Sequence, residues 1–548
     1  MTETGPTHGR LMRGDAALAV IGGIAVALLT VAFRMLASVD LPNDHFMTLG
    51  WAQQVLFGAW PERDFVDPGM PLAYLPSALV QSRWPGPFSE MLLTSSMLGI
   101  AAAATWVAAA RLSRSWLVAL GAVLLEVILF PRLYAFPKVL APAVALWLFQ
   151  RYATAPTRGR LVALGAWTTT AALLRHDLGA YVAIACGIGL LLLHLPDIRR
   201  TTRAGLEYVL AIGISVLPYA VYVQWAVGWP EHLRRGVEFT RSETHQLFTD
   251  LPRLGEALGG GRDGSVAALF FLAHAVAFLA LVRLIASRRS LTREARAGGA
   301  VAIGLLVLFL PVILRKPIDA RLPDLAGVMP LALAWLLGEG LAAARRTRVV
   351  VAAPLIVLLV GVSAYAGRAA WVLGHIDEQI DNTGVYAGAR GLRETWEDVR
   401  ARGSEWPWAR AWPTREQPAV IRYLRACTLQ TDFALLTWPA PEYYFFARRP
   451  FGAGHVEFLP PSAFATETDQ RQMLAWMREQ RIPVLLTNAD RHEEFARTYP
   501  RVAAALTARY RDVGSFTIYD GSRIVISARS DLRALGTWGD EQWPCGFE

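Results

Sequence analysis

The stretch AALAVIGGIAVALLTVAFRML (16–36) carries a single charge, Arg34, in twenty-one residues. At 1.5 Å per residue such a helix spans a hydrocarbon core of about 30 Å. It is longer than the apolar region of a secretory signal, no A-x-A site follows it, and further apolar runs come after it, so it reads as a retained first span. The runs long enough to span lie at about 16–36, 91–110, 115–131, 138–150, 161–174, 178–194, 205–227, 266–286, 299–314, 323–342 and 349–367. The expected fold class is therefore a polytopic α-helical membrane protein of about eleven spans.

Composition agrees. The 548 residues are 54% apolar and 18% charged, against about a quarter charged in soluble domains. The net charge of +9 is no nucleic-acid footprint, because most of it lies in short arginine clusters between apolar runs. Placing the N-terminus inside puts eighteen arginines into compact inner segments, among them RLSRS (111–115), DIRRTTR (197–203) and RRTR (345–348). The outer loops are basic at lower density, so the positive-inside rule selects this orientation. An odd number of spans then leaves the C-terminal tail outside.

The expected organisation is a cytoplasmic N-terminus (1–15), a transmembrane module (16–369) with a long first outer loop (37–90) and another at 228–265, and an extracytoplasmic α/β domain (370–548). In that tail QPAVIRYLRACT (417–428) and DQRQMLAWMREQ (469–480) have helical spacing. FALLTW (433–438), IPVLLTN (482–488), FTIYD (516–520) and RIVISAR (523–529) read as strands. Cys186 lies in an apolar run, while Cys427 and Cys545 lie in the tail. A bridge between the last two is open if the tail is extracytoplasmic.

The first outer loop carries LPNDHF (41–46) and RDFVDPGMPL (63–72). HFMTLGWAQQVLFGAW (45–60) has helical spacing and many aromatics, as an interfacial helix does. Asp44 then stands at the helix N-terminus, where a capping carboxylate is favoured, with His45 as a solvated neighbour. Asp67 opens a DPG turn (67–69), a common turn start, and Asp64 stands three residues before it. Those two, or Asp44 with them, are the acids able to hold a divalent cation, although acids alone are a weak metal signature, so a cofactor is left open.

Three short outer loops hold six cations: Arg132 and Lys138, then Arg175, then Arg315, Lys316 and Arg321. Both lysines of the chain are among them. Local pairing with Asp177, Asp319 and Asp324 is the bland account of any one of them. Their repetition in loop after loop suits a phosphate held at the membrane surface, with a carboxylate as general base for an acceptor. Glu126, in the middle of VLLEVIL, is costly in lipid and is expected to face the bundle interior.

Together AQQVLFGAWPERDFVDPGMPLAY (52–74), RLYAFPK (132–138), ARLPDLAGVMP (320–330) and the tail stretch 423–450 resemble the GT-C superfamily of polytopic glycosyltransferases. The branch is the bacterial one similar to protein O-mannosyltransferases and lipid A aminoarabinose transferases. The resemblance implies transfer of a sugar from a polyprenyl-phosphate donor, with inversion, to a lipid, polysaccharide or protein acceptor in the bacterial envelope. It makes Asp44 the base, and Arg132, Lys138, Arg175, Lys316 and Arg321 the donor-phosphate ligands. His45, Asp64 and Asp67 become acceptor-binding residues or a second acid. Two departures stand out: relatives carry Asp-Glu where this chain has Asp44-His45, and a lysine where Asp67 precedes Pro68. The competing readings are a transporter or flippase, which would show internal repeats and broken mid-membrane helices, and a non-catalytic envelope assembly protein of the same fold.

Overall fold

The computed structural model describes residues 13–38, 41–67, 69–129, 132–244, 251–286, 291–315, 317–344, 361, 364–401, 416–458, 464–518 and 520–548. Lys316, the arginines of 345–348 and most of the run at 349–367 lie outside them. The chain divides into two compact units, each built from three separate segments.

The first unit comprises Met1–Ala37, Thr94–Pro218 and Gln246–Thr395 and is helical. Among the described residues six helices are long and apolar enough to cross a membrane, or seven if a helix pair bent by 56° counts as one span. The protein is thus a multi-pass helical membrane protein. In lipid every backbone N–H and C=O must be satisfied within its own segment, which helices achieve. Three further runs seen in the sequence form shorter or more polar helices, Trp116–Leu129, Pro137–Thr154 and Arg158–Leu174. Proline at the first position of Pro137–Thr154 has no N–H to leave unpaired. Thr157 caps the next helix by accepting from the Arg160 amide.

The bent pair has a local cause. Prolines at 311, 317, 323 and 330 each remove a backbone donor and crowd the preceding turn. The apolar helix Arg293–Phe309 therefore passes into a series of short turns, Leu310–Leu314, Ile318–Arg321 and Leu322–Gly327, before Met329–Ala344 resumes. A Cβ on Gly327 would stand 2.5 Å from the Lys138 carbonyl oxygen and 2.7 Å from Val139 Cα. Only glycine lets the turn close on that backbone.

The second unit comprises Ser38–Leu93, Tyr219–His245 and Trp396–Glu548. Its sheet has strands β1 (Ala434–Leu436), β2 (Val484–Asn488), β3 (Tyr510–Thr517) and β4 (Arg523–Arg529), in the order β1-β2-β4-β3. The β1–β2 pair is parallel, and helices at 442–447 and 467–479 fill the crossover. β4 runs antiparallel to both neighbours. Of the expected strand at 516–520, only 516 and 517 are strand, as the end of β3, which starts at Tyr510 because its pairing with Arg529 extends the hairpin. The other tail elements fall where their periodicity places them. Leu435, Leu485, Met473, Phe458, Phe495 and Tyr499 form the buried core between sheet and helices. Strands β5 (Ala534–Trp538) and β6 (Trp543–Phe547) make a separate ribbon.

The loop 38–93 supplies the helices Asn43–Leu56 and Pro71–Gln81 to this same unit. Phe46 packs on Phe445 and Phe446, ring centroids 5.7 and 5.2 Å away. Gln54 Oε1 accepts from the Phe451 amide at 3.1 Å, and the Val66 amide donates to the Gly454 carbonyl at 2.9 Å. A disulfide joins Cys427, at the end of the helix Glu416–Cys427, to Cys545 in β6, across 118 residues. A link across a loop that long constrains the unfolded chain strongly, by about 2–5 kcal/mol. Cys427→Ser is expected to lower the unfolding temperature and to leave Cys545 alkylatable in the denatured, unreduced protein. Mass spectrometry of iodoacetamide-treated protein checks this.

Candidate functional site

The predicted acids lie in the second unit and the predicted cations in the first. Helix Asn43–Leu56 starts two residues earlier than a capping Asp44 requires. Pro42 is the N-cap and no side chain caps the helix, so Asp44 is the second helical residue. Its carboxylate is exposed in the first turn, where the helix dipole favours negative charge.

His45 is not solvated. It is fully buried and donates from Nε2 to Glu90 Oε1 at 2.9 Å, and the Ser77 hydroxyl donates to the same oxygen at 3.0 Å. The helical turn that exposes residue 44 turns residue 45 inward, which the sequence alone did not resolve. Glu90 gave no signal of its own, being one acid in a helix start.

Asp64 is a surface residue, bonded to Arg63 and to the Trp60 amide. Asp67 is buried and accepts from the amides of Gly69 and Met70 and from the Tyr74 hydroxyl, at 2.8, 3.1 and 2.7 Å. Burial, with the nearby Glu62 charge, pushes its carboxyl up to about 6 against those bonds. Asp64 and Asp67 are thus engaged with separate partners. Among the described residues no group of three or more His, Cys, Asp or Glu side chains is placed to hold a metal ion.

The residue that sequence reading missed is Glu457, in GHVEFLP (454–460). A Cβ on Gly50 would stand 2.6 Å from Val456 Cγ2, so the glycine lets this segment press against the helix that bears Asp44. Burial pushes the Glu457 carboxyl up to about 7, and the Asp44 charge adds to the shift. A protonated carboxyl beside a surface carboxylate is a pairing that acid–base chemistry uses. The only sequence signal was a carboxylate flanked by valine and phenylalanine.

In the first unit four cations, Lys138, Arg175, Arg315 and Arg321, form one cluster. Lys138 Nζ donates to Asp324 Oδ2 at 2.7 Å, both groups buried. Arg175 bonds Asp177 at 2.7 Å. The charges of Arg175 and Arg321 act on Lys138, and those of Arg321 and Arg175 on Arg315. Burial and these neighbours pull the Arg315 guanidinium down to about 10. Against its own burial Arg175 is held above the ordinary arginine value, chiefly by Asp177. Four cations thus act on one another around two carboxylates, an arrangement suited to a dianionic group. Arg132 belongs elsewhere in the unit: it donates to the Tyr134 hydroxyl at 3.2 Å, and its charge acts on Asp319, which pairs with Arg262 at 2.6 Å. Glu126 is buried and accepts from the Thr105 hydroxyl, as its position in the span led us to expect.

No family model matches the chain, and no curated protein sequence matches it. Among solved structures the chain is similar to ArnT from Cupriavidus metallidurans in the apo state, at 15% identity, with a TM-score of 0.46 over 93% of this chain and 98% of that one.

Two outcomes follow from the geometry. Gly327→Val is expected to cost about 1–3 kcal/mol through overpacking and to part Asp324 from Lys138, read as a lower unfolding temperature. For pH, Glu457 and Asp67 have folded values of about 7 and about 6 against ordinary values of 4.5 and 3.8. The folded chain holds protons the unfolded chain has released, so stability is highest below the unfolded values and falls as pH rises through the folded ones. Glu457→Gln should flatten the fall in unfolding temperature between about pH 4.5 and 7, and Asp44→Asn should shift it to lower pH.

Proposed function

We propose that the chain is a membrane glycosyltransferase that moves a sugar from a polyprenyl-phosphate donor to a hydroxyl of an envelope acceptor. The observation that carries this reading is the cluster of Lys138, Arg175, Arg315 and Arg321 around Asp324 and Asp177. Such a cluster would hold the donor phosphate, with Arg engaging it bidentately and Lys as a point charge. Asp324 fixes the Lys138 ammonium, and the surplus of cations draws the phosphate. Lys316 is kept as a further candidate ligand on the resemblance alone, and Arg132, which meets Tyr134 and Asp319, would act on the donor only from outside that cluster.

Asp44 is the general base. As the acceptor oxygen attacks the anomeric carbon, its proton passes to the Asp44 carboxylate and the carbon–oxygen bond to the polyprenyl phosphate breaks. The phosphate leaves with the bonding pair, and attack opposite the leaving group inverts the anomeric carbon. Cations that stabilise charge developing on the departing phosphate lower the barrier more than they tighten ground-state binding. His45, Asp64 and Asp67 serve the acceptor side, His45 and Asp67 as buried positioning groups and Asp64 at the surface. The acceptor is a lipid, a polysaccharide or a protein.

The reaction belongs on the outer face of a bacterial inner membrane, with the N-terminus cytoplasmic. The Cys427–Cys545 disulfide supports an oxidising side for the tail.

In an assay with a polyprenyl-phosphate sugar in detergent, Asp44→Asn should lower kcat at least about a hundredfold with little change in donor KM. Arg175→Ala should instead raise the donor KM. Near-wild-type turnover of Asp44→Asn removes the base assignment, and an unchanged donor KM in Arg175→Ala removes the phosphate site.

A further inference from the structure

The C-terminal half of the helix Asn43–Leu56 borders a cavity of about 280 Å³ within the second unit. The proposed reaction does not use it. Gln53 stands nine residues beyond Asp44, about 13 Å along the helix at 1.5 Å per residue, so a small group bound here does not reach that carboxylate. Part of the lining is apolar, from Leu56, Phe57 and Phe446. The polar part includes Gln53, Arg425 and Arg448.

Three observations give these polar groups a ligand. Among the described residues neither the Arg425 nor the Arg448 guanidinium is ion-paired or hydrogen-bonded, and both are exposed. Two arginines on one cavity without a carboxylate between them repel each other unless an anion joins them. Next, Gln53 Nε2 donates to the Tyr444 carbonyl at 3.2 Å, which fixes the amide, and its buried Oε1 accepts no hydrogen bond among the described residues. A buried acceptor so placed calls for a donor. Finally, Arg448 follows the helix Glu442–Ala447 with φ +53°. Glycine would take that left-handed position without penalty, so an arginine kept there points to use of its side chain.

The elements that carry these groups are well anchored. Arg425 lies in the last turn of the helix that ends in the disulfide at Cys427, and its carbonyl accepts from Arg449 Nη2 at 2.7 Å. A ligand that meets every group has an anionic centre for the two guanidiniums, a hydroxyl for Gln53 Oε1 and an apolar portion for the leucine and phenylalanines. The volume suits a head group and the start of its chains rather than a whole lipid.

We propose that this cavity binds the head group of a hydroxyl-bearing anionic phospholipid, of the phosphatidylglycerol type. The site goes beyond the proposed transfer reaction and does not rest on it. It would hold the second unit to the leaflet through a specific lipid rather than through diffuse charge.

The test is calorimetric titration of the full chain in a neutral detergent with dihexanoyl phosphatidylglycerol. Saturable binding is expected, at least tenfold tighter than that of dihexanoyl phosphatidylcholine or of deacylated glycerophosphoglycerol. Arg425→Ala with Arg448→Ala should weaken it at least tenfold, and Gln53→Leu should weaken it severalfold. Equal binding of the phosphatidylcholine overturns the role of the arginines, and equal binding of the deacylated head group overturns that of the apolar wall. Unchanged binding in the double variant, or no binding by the wild type, overturns the site. Should the double variant fail to fold, Leu56→Trp, at a position 45% exposed, fills the same cavity. Undiminished binding there would likewise defeat the proposal.

Discussion

A lysine ammonium buried beside an apolar bundle is tolerable only with a carboxylate against it. Lys138 and Asp324 meet at 2.7 Å with both side chains shielded, and much of the first unit is arranged to let them. They are 186 residues apart in the chain. The meeting needs a helix that starts at Pro137 and a proline-broken stretch at 310–327 that folds inward. It also needs a glycine at 327 so that backbone can lie on backbone. Removing either partner of such a pair would leave an uncompensated buried charge, typically worth 3–5 kcal/mol. The arginines then gather around a pair that is already fixed. Placing cations on a rigid support, at the edge of the apolar region, is how a protein prepares for an anion without reorganising when it arrives.

Much of this was legible in the chain. Apolar runs reported the spanning helices, because lipid leaves the backbone no alternative. Alternation and helical spacing located β1, β2, β4 and the two tail helices to within a few residues. The cations of three loops were read as a set, and Lys138, Arg175 and Arg321 do lie in one cluster with Arg315. Arg132 was read with that set from the resemblance of RLYAFPK (132–138), and its charge acts on Asp319.

What escaped the sequence shares one physical character. His45 with Glu90, and Asp44 with Glu457, are pairs between residues distant in the chain, and no local periodicity encodes such pairs. Whether His45 faces water or a carboxylate depends on where the helix begins, the least certain property of any helix. The sharing of loop 38–93 with the C-terminal tail is of the same kind. Phe46 and Gln54 look like ordinary residues of an interfacial helix until Phe445, Phe446 and Phe451 are beside them.

That sharing has a bearing on how the protein is made. The second unit draws its parts from near the start, the middle and the end of the chain. A ribosome releases them in that order, so the segment that bears Asp44 is synthesised long before the phenylalanines on which its helix rests. Contacts of such long sequence separation form late and slowly. Until residue 451 has emerged, the Gln54 amide and the Phe46 ring have only water, lipid or a chaperone for company. The acid proposed as the base is therefore set in place by one of the last steps of assembly, and a chain cut short before its tail would carry the residue without its setting.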